Sequence, residues 1–165
     1  MNSKATFFVA MSILINMAVD AQTANDPARV FAQYVLAVNA GDKAALRELI
    51  ADDVERHTYS ACTAAMSNRD CLVFYITYTV LDRHGNITPT ESFGVDGDTA
   101  FGGLVLRSDG IRNAGAERAV GIDKIKTRNN KIIGLVFLPN LQDAQTKKYL
   151  DYRRTSGMPG SQPAR

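Results

Sequence analysis

Two cysteines, Cys62 and Cys71, are the residues whose type and spacing most directly predict chemistry, and the chain has no others. An even pair at short spacing forms a disulfide in an oxidising compartment. Closing so small a loop stabilises a fold by roughly 2–3 kcal/mol in the chain-entropy model. The alternative is a pair of buried free thiols. A metal site is disfavoured, because no histidine and no second cysteine pair lies at ligand spacing.

The N-terminal segment indicates the compartment that such a disulfide needs. Lys4 gives a short positive start, an apolar run follows at 5–17, and small residues suited to signal peptidase follow at 19–21. We therefore expect a signal peptide at 1–21 and an exported protein, secreted or periplasmic. The apolar run is short for a membrane anchor, so no membrane association is expected after cleavage. The alternative is an N-terminal core helix.

Composition excludes several classes of protein. The chain has 165 residues, of which 45% are hydrophobic, which suits one domain with a sizeable core and excludes wholesale disorder. The formal net charge is +2, and the basic residues are scattered. A nucleic-acid surface needs a concentrated basic stripe, so no nucleic-acid partner is expected. Only two histidines are present, which limits acid–base chemistry, and no cofactor is indicated.

Two helices are predicted at the start of the exported part. Asp26 can cap the first helix, and Pro27 suits its first turn. The apolar stripe of this helix consists of Val30, Phe31, Tyr34, Val35 and Val38. Gly41 ends it, and Asp42 caps the second helix, whose buried face is predicted to be Leu46, Leu49 and Ile50. A short strand is predicted at 54–59.

Residues 69–84 fit two periodicities equally well. Val73, Ile76 and Val80 lie on one helical face, whereas Phe74, Ile76 and Tyr78 follow strand alternation. The β-branched content favours a strand. The pattern alone leaves the choice open.

The second half of the chain has a β pattern. Strands are predicted at 87–95, 99–107, 116–127 and 131–138, with a hairpin turn at 96–98, a loop at 108–115 and a final helix at 143–154. Gly102 and Gly103 permit a bulge or sharp curvature. Residues 155–165 are rich in Gly, Pro and Ser and are predicted to form a disordered tail.

This order of elements predicts an α+β fold, in which a curved antiparallel sheet packs on the N-terminal helices as a cone-shaped roll. The domain is expected to span 22–154. The concave space of the cone is the expected ligand site. Alternation in the strand at 116–127 places Asp123 inward and Val120 and Ile122 on the convex face. Because an apolar convex face needs cover, the pattern predicts a homodimer through the sheet.

Two stretches carry a family resemblance. Residues 33–42, continuing at 49–53, resemble the opening of the SnoaL-like and ketosteroid-isomerase-like members of the nuclear-transport-factor-2-like superfamily, and residues 120–125 through 131–133 resemble their last two strands. The resemblance covers nearly all of the exported part except the tail, and it implies a helix at 69–84. This superfamily hosts isomerases, cyclases, dehydratases and non-catalytic binders, so the resemblance implies a fold rather than an activity.

The same resemblance implies three candidate catalytic residues. Ketosteroid isomerases use a carboxylate base and an oxyanion hole formed by a tyrosine and a protonated aspartic acid. Tyr34 matches the tyrosine of the hole, and Asp123 matches its aspartate. The base position falls on Thr58, or on His57 with a one-residue shift, and only His57 could act as a base near neutral pH. The structural alternatives are a core tyrosine, an aspartate that satisfies nearby polar groups, and a solvated histidine.

Asp109, Arg112, Glu117 and Arg118 flank a glycine-rich loop at the rim of the predicted sheet. They could line the mouth of the cone and select ligands. The alternative, which we favour, is a solvated cluster of ion pairs that contributes little to stability.

Three functions are compatible with these patterns. The leading hypothesis is an exported SnoaL-like domain that holds a small, largely apolar molecule in its cone, with catalysis unproven. The second is an isomerase- or cyclase-like enzyme that transfers a proton next to a carbonyl. The third is a non-catalytic protein-binding module with a cone filled by side chains.

Overall fold

The computed structural model describes residues 24–56, 62–90 and 93–156. The predicted signal peptide, His57, and residues 157–165 of the predicted tail lie outside these ranges. The helices are α1 (Pro27–Ala40), α2 (Lys43–Leu49), α3 (Asn68–Thr79), α4 (Asp109–Asn113) and α5 (Ala144–Thr155), with a short 3-10 turn at Leu81–Arg83. The strands are β1 (Asn86–Pro89), β2 (Gly94–Asp96), β3 (Thr99–Arg107), β4 (Ala119–Arg128) and β5 (Lys131–Pro139). None of the described helices is both long and apolar enough to cross a membrane.

The first two helices begin and end where their capping residues predict. The carboxylate of Asp26 accepts a hydrogen bond from the backbone N–H of Arg29 at 3.0 Å. Gly41 adopts a φ of 66° and ends α1, a conformation that costs glycine little. Asp42 then caps α2 by accepting from the N–H of Ala45 at 2.9 Å.

Region 69–84 is mainly helical, as the resemblance implied. Ser67 caps α3, and its hydroxyl accepts from the N–H of Asp70 at 3.1 Å. Burial of Cys71, Leu72 and Ile76 on one face outweighs the strand propensity of the segment, because packing usually decides between weak local preferences. Cys71 forms the predicted disulfide with Cys62.

The sheet is antiparallel in the order β1-β3-β4-β5, with β2 also paired to β3. The single strand predicted at 87–95 is therefore wrong, because β1 and β2 are separate strands. β1 pairs with β3 up to Leu104, and β2 pairs with β3 from Phe101. Between them Phe93 packs over Gly102, where an added Cβ would lie 2.8 Å from the Phe93 Cβ. β3 pairs with β4 through Gly102 and Gly103 without a register shift, so the bulge that these glycines permit is not formed there.

Two other segments differ from the prediction. The predicted loop at 108–115 contains α4, because Ser108 caps it and Ile111 is fully buried beneath it. Residues 54–56 do not form the start of the predicted strand. A turn at 52–53 leaves only isolated backbone bonds to β5, from Ala51 to Ile132 at 3.0 Å and from Glu55 to Ile133 at 2.8 Å.

The core lies between the concave face of the sheet and the helices. Strand β4 alternates as predicted: Ala119, Asp123 and Ile125 are buried, while Ile122 faces outward. The main cluster joins α1, α2 and α3 to the sheet. A smaller cluster around Ile111 and Tyr149 lies beneath α5. The structure is thus an α+β roll with N-terminal helices packed on a curved five-stranded sheet.

Candidate functional site

A narrow cavity of about 70 Å³ lies between α1, α3, α5 and the concave face of the sheet. Its lining is mainly apolar, with side chains such as Ile76, Leu104 and Phe137. A single water needs about 10–15 Å³, whereas ligand pockets usually measure about 300–1,000 Å³. The cavity can therefore hold a very small molecule as it stands, and a larger ligand requires side chains to move.

Tyr34 and Asp123 line this cavity together. Their exposed fractions are 4% and 3%, and the Tyr34 hydroxyl is hydrogen-bonded to the Asp123 carboxyl group. Burial raises the pKa of Asp123 to about 7, and the hydrogen bond from Tyr34 partly opposes that rise. A carboxyl group with such a pKa is neutral for much of the population near pH 7. Asp123 can then donate a hydrogen bond as well as accept one.

Polar contacts at both ends of α1 hold Tyr34 over the sheet. Before the helix, the side-chain amide of Asn25 donates to the Thr127 hydroxyl at 2.8 Å. At the last turn, Asn39 donates to the Ile87 carbonyl at 2.8 Å and accepts from the Ile87 N–H at 2.9 Å. The helix is thus fixed to β4 and to the edge strand β1, and Tyr34 lies between these two attachments.

Glycines in the sheet shape the wall around Asp123. Gly102 is the β3 partner of Asp123 and Phe137 is its β5 partner. A Cβ added to Gly121 would approach the Phe137 ring to 2.6 Å, so glycine is required for this ring to lie against β4. The absence of side chains at these positions gives the cavity an aromatic wall beside the carboxyl group.

Helix α5 forms one wall of the cavity, here called the mouth. Thr146, Tyr149, Leu150 and Arg153 line it from this helix. Arg153 has only 8% of its surface exposed, and its guanidinium carbon lies 5.7 Å from the centre of the Tyr149 ring. Neither Thr146 nor Arg153 is among the residues predicted from the sequence. Thr146, Tyr149, Leu150 and Arg153 are spaced at i, i+3, i+4 and i+7, which places all four on one face of a helix. This spacing could have indicated Thr146 and Arg153.

The remaining predicted residues lie elsewhere. His57 is outside the described ranges. In the described structure, the cavity lining includes none of Asp109, Arg112, Glu117 and Arg118. Asp109 pairs with Arg112 and with His84, and Arg118 pairs with Asp143 at 3.1 Å. These contacts attach α4 and α5 to their surroundings. Among the described residues, no group of three His, Cys, Asp or Glu side chains is placed to hold a metal ion.

Comparison with known proteins was informative only at the level of structure. No protein-family model matches the chain, and no curated protein matches it either. A candidate polyketide cyclase from Sinorhizobium meliloti is 18% identical, with a TM-score of 0.52, and the match covers 66% of this chain and 93% of that one. A candidate ketosteroid isomerase from Kribbella flavida is 16% identical, with a TM-score of 0.54 and coverages of 69% and 77%.

Other matches give the fold its name and its range of uses. A computationally designed 17-OHP binder is 17% identical, with a TM-score of 0.54, and the match covers 70% of this chain and 92% of that one. The fold is described as cystatin-like in a matching structure from Xanthomonas campestris and as NTF2-like in one from Cytophaga hutchinsonii. The chain therefore has the nuclear-transport-factor-2-like, or cystatin-like, fold, which it shares with polyketide-cyclase-like and ketosteroid-isomerase-like structures.

Proposed function

We propose that this chain is an exported protein that binds a small, largely apolar molecule carrying an oxygen acceptor. The observation that carries the proposal is the Tyr34–Asp123 pair inside an apolar cavity. Support for an oxidising compartment comes from the disulfide between Cys62 and Cys71. Support for ligand binding on this fold comes from the designed 17-OHP binder.

Tyr34 and a protonated Asp123 are two hydrogen-bond donors in a mainly apolar cavity. A protonated Asp123 and the Tyr34 hydroxyl can both donate to one carbonyl oxygen, while the apolar wall covers the rest of the ligand. Hydrogen bonds gain strength where water is excluded. Because a ligand carbonyl can accept from these two groups, which are hydrogen-bonded to each other in the structure, the site favours a ligand with an acceptor over a hydrocarbon of the same shape.

A matched pair of probes tests this preference. Cyclohexanone has a carbonyl oxygen where methylenecyclohexane has a CH₂ group, so the two differ mainly in the acceptor. We expect NMR titration to show tighter binding of cyclohexanone, by about tenfold, corresponding to one or two hydrogen bonds. Tyr34→Phe should reduce the ratio, whereas Tyr152→Phe, outside the cavity, should preserve it. Equal binding of the two probes by the unaltered protein would contradict the proposal.

A second candidate is an isomerase- or cyclase-like enzyme, which the Tyr34–Asp123 pair also favours. His57 would take a proton from the carbon next to a carbonyl, and the resulting enolate oxygen would be held by Tyr34 and Asp123. The same proton would then return to a different carbon of the ligand. Removing one donor from such a hole typically lowers turnover about 100- to 1,000-fold.

Deuterium exchange tests the first step of this reaction. Incorporation of deuterium next to the carbonyl of cyclohexanone in D₂O is followed by NMR, with and without protein. Catalysed exchange that is lost in both His57→Gln and Tyr34→Phe would support the enzyme. Binding without catalysed exchange would support the binder. Failure of both binding and exchange would favour the third hypothesis, a protein-binding module, which the small volume of the cavity also favours.

We also propose that the protein is a homodimer through the convex face of the sheet. Ile122 and Leu138 pair across β4 and β5 on this face, and each has 43% of its surface exposed. Phe101 extends the apolar area onto β3. Ile122→Lys should therefore halve the mass measured by light scattering at micromolar concentration, without unfolding the protein. A monomeric mass for the unaltered protein would count against the dimer.

A further inference from the structure

Arg153 is a buried cation at the mouth of the cavity. Among the residues that the structure describes, Arg153 is the one lysine or arginine that is buried, with 8% of its surface exposed, and it lines the cavity. The Arg153 guanidinium is hydrogen-bonded to Tyr149, and so buried an arginine needs partners of this kind. Its planar fork of donors suits carboxylates in particular.

An aromatic and cationic cluster surrounds this arginine. Burial raises the pKa of Tyr149, while the positive charges of Arg153 and Arg83 act in the opposite direction. Both arginines therefore lie close enough to influence the Tyr149 hydroxyl. Arg83 itself donates to the Tyr78 hydroxyl at 3.0 Å and lies 5.0 Å above the ring of that tyrosine. Arg153 thus lies beside Tyr149, to which it is hydrogen-bonded, with the positive charge of Arg83 near that tyrosine.

The charged side chains of the cavity lining also leave a net positive charge when Asp123 is neutral. In the described structure, the charged side chains that line the cavity are Arg153 and Asp123. Asp123 is largely neutral below about pH 7, so the positive charge of Arg153 then dominates the interior. Charge interactions are strong in a cavity that excludes water, and an anionic ligand gains more here than a neutral one.

We propose that the ligand is a small apolar carboxylic acid whose carboxylate pairs with Arg153. The proposal rests on the ligand-binding function above and narrows it to one chemical class. The ligand's apolar body would contact the lining of Ile76, Leu104 and Phe137, and its acid group would lie beneath α5 between Arg153 and Tyr149. The specificity of the site would then be set by a residue of α5 rather than by the sheet.

A second matched pair of probes tests this assignment. Cyclohexanecarboxylate and cyclohexanecarboxamide have nearly the same shape and differ in charge. Titrations at pH 6 keep the carboxylate ionised and Asp123 mainly protonated. We expect the unaltered protein to bind the carboxylate at least tenfold more tightly than the amide, as befits a charge-assisted hydrogen bond.

Variants at two neighbouring arginines show whether Arg153 causes the preference for the carboxylate. Arg153→Gln should remove the preference for the acid, and Arg153→Lys should keep part of it. Arg154→Gln is the control, because Arg154 is exposed and pairs with Asp151 on the outside of α5; it should leave the ratio unchanged. Circular dichroism of each variant identifies loss of folding. If Arg153→Gln does not fold, the ratio in the unaltered protein and in Arg153→Lys decides the question.

The outcomes separate this inference from the function on which it rests. Equal binding of acid and amide would overturn the acid preference and leave the binding function standing. A preference that survives in Arg153→Gln would also overturn the role of Arg153. Failure of both these probes and the cyclohexanone pair to bind would overturn the inference together with the proposed function.

Discussion

The floor and the mouth of the cavity are built in different ways. The floor, formed by α1 and β3–β5, consists largely of side chains in the main core cluster, such as Leu104 and Leu135. The mouth, formed by α5, rests on a smaller cluster around Tyr149 and on polar contacts. Apolar packing loses free energy with every ångström of displacement, whereas a few hydrogen bonds can break and re-form with water.

Two polar contacts attach the first half of α5 to the rest of the fold. The Thr146 hydroxyl accepts from the Val120 N–H at 2.8 Å, and Lys148 donates to the Gly115 carbonyl at 2.7 Å. Tyr149 and Arg153, nearer the end of the helix, face the cavity instead. This arrangement indicates that the main core fixes the position of the Tyr34–Asp123 pair, whereas α5 depends on the smaller cluster and on its polar contacts.

The largest expected difference between floor and mouth is in stability. Leu104→Ala should lower the free energy of unfolding by about 2–5 kcal/mol, because Leu104 is fully buried against several strands and helices. Leu150 is only half-buried on α5, so Leu150→Ala should lower the free energy of unfolding by about 1 kcal/mol. Urea unfolding with the disulfide intact measures both values. Equal losses would show that the mouth is as firmly packed as the floor.

A smaller effect, specific to the floor, is the pH dependence of stability. The pKa of Asp123 is about 7 in the folded protein, compared with about 3.9 in an unfolded chain. Between these two values the folded state holds a proton that the unfolded state lacks. Stability therefore falls as pH rises through this window, and it levels off above the folded pKa.

Asp123→Asn provides the reference for this pH effect. Because asparagine does not titrate, the difference in unfolding free energy between the unaltered protein and the variant should change by about 2 kcal/mol from pH 5 to pH 7. Asp53 and Asp70, whose pKa values arginines lower, titrate below this range and contribute the opposite slope there. A difference that stays constant from pH 5 to pH 8 would mean that Asp123 is already ionised.

The sequence predicted the floor better than the mouth. Local signals at Asp26, Gly41 and Asp42 marked the helix ends, and β3 has the predicted bounds. The alternation in β4 correctly predicted that Asp123 faces the interior. Each of these features depends on residues close in sequence, so a single chain contains enough information to predict it.

The missed features depend on contacts between distant residues. The break between β1 and β2 follows from Phe93 packing over Gly102, and α4 forms where Ile111 becomes buried. Arg153 looks like an ordinary basic residue in the last turn of a polar helix. Helical spacing places Arg153 on the same face as Tyr149 and Leu150, but only the packing of α5 against distant residues buries that face.

The smallest expected effect is confined to the attachment of α5. Thr146→Val keeps the shape of the side chain but removes the hydroxyl that accepts from the Val120 N–H and donates to Asp143. Leaving a buried N–H without an acceptor costs about 1–3 kcal/mol. Because β4 retains its other partners, the loss should appear mainly as faster amide hydrogen exchange in α5, with exchange in β3 unchanged. Thr146→Ser restores the hydroxyl and should restore protection.

If exchange instead rose equally in α5 and β3, the mouth and the floor would open together. Ligand entry would then require disruption of the core around Tyr34 and Asp123. Selective exchange in α5 would mean that a ligand can reach those two side chains while the sheet stays closed, because only the smaller cluster beneath the helix has to separate. The hydroxyl of Thr146 joins α5 directly to the strand that carries Asp123.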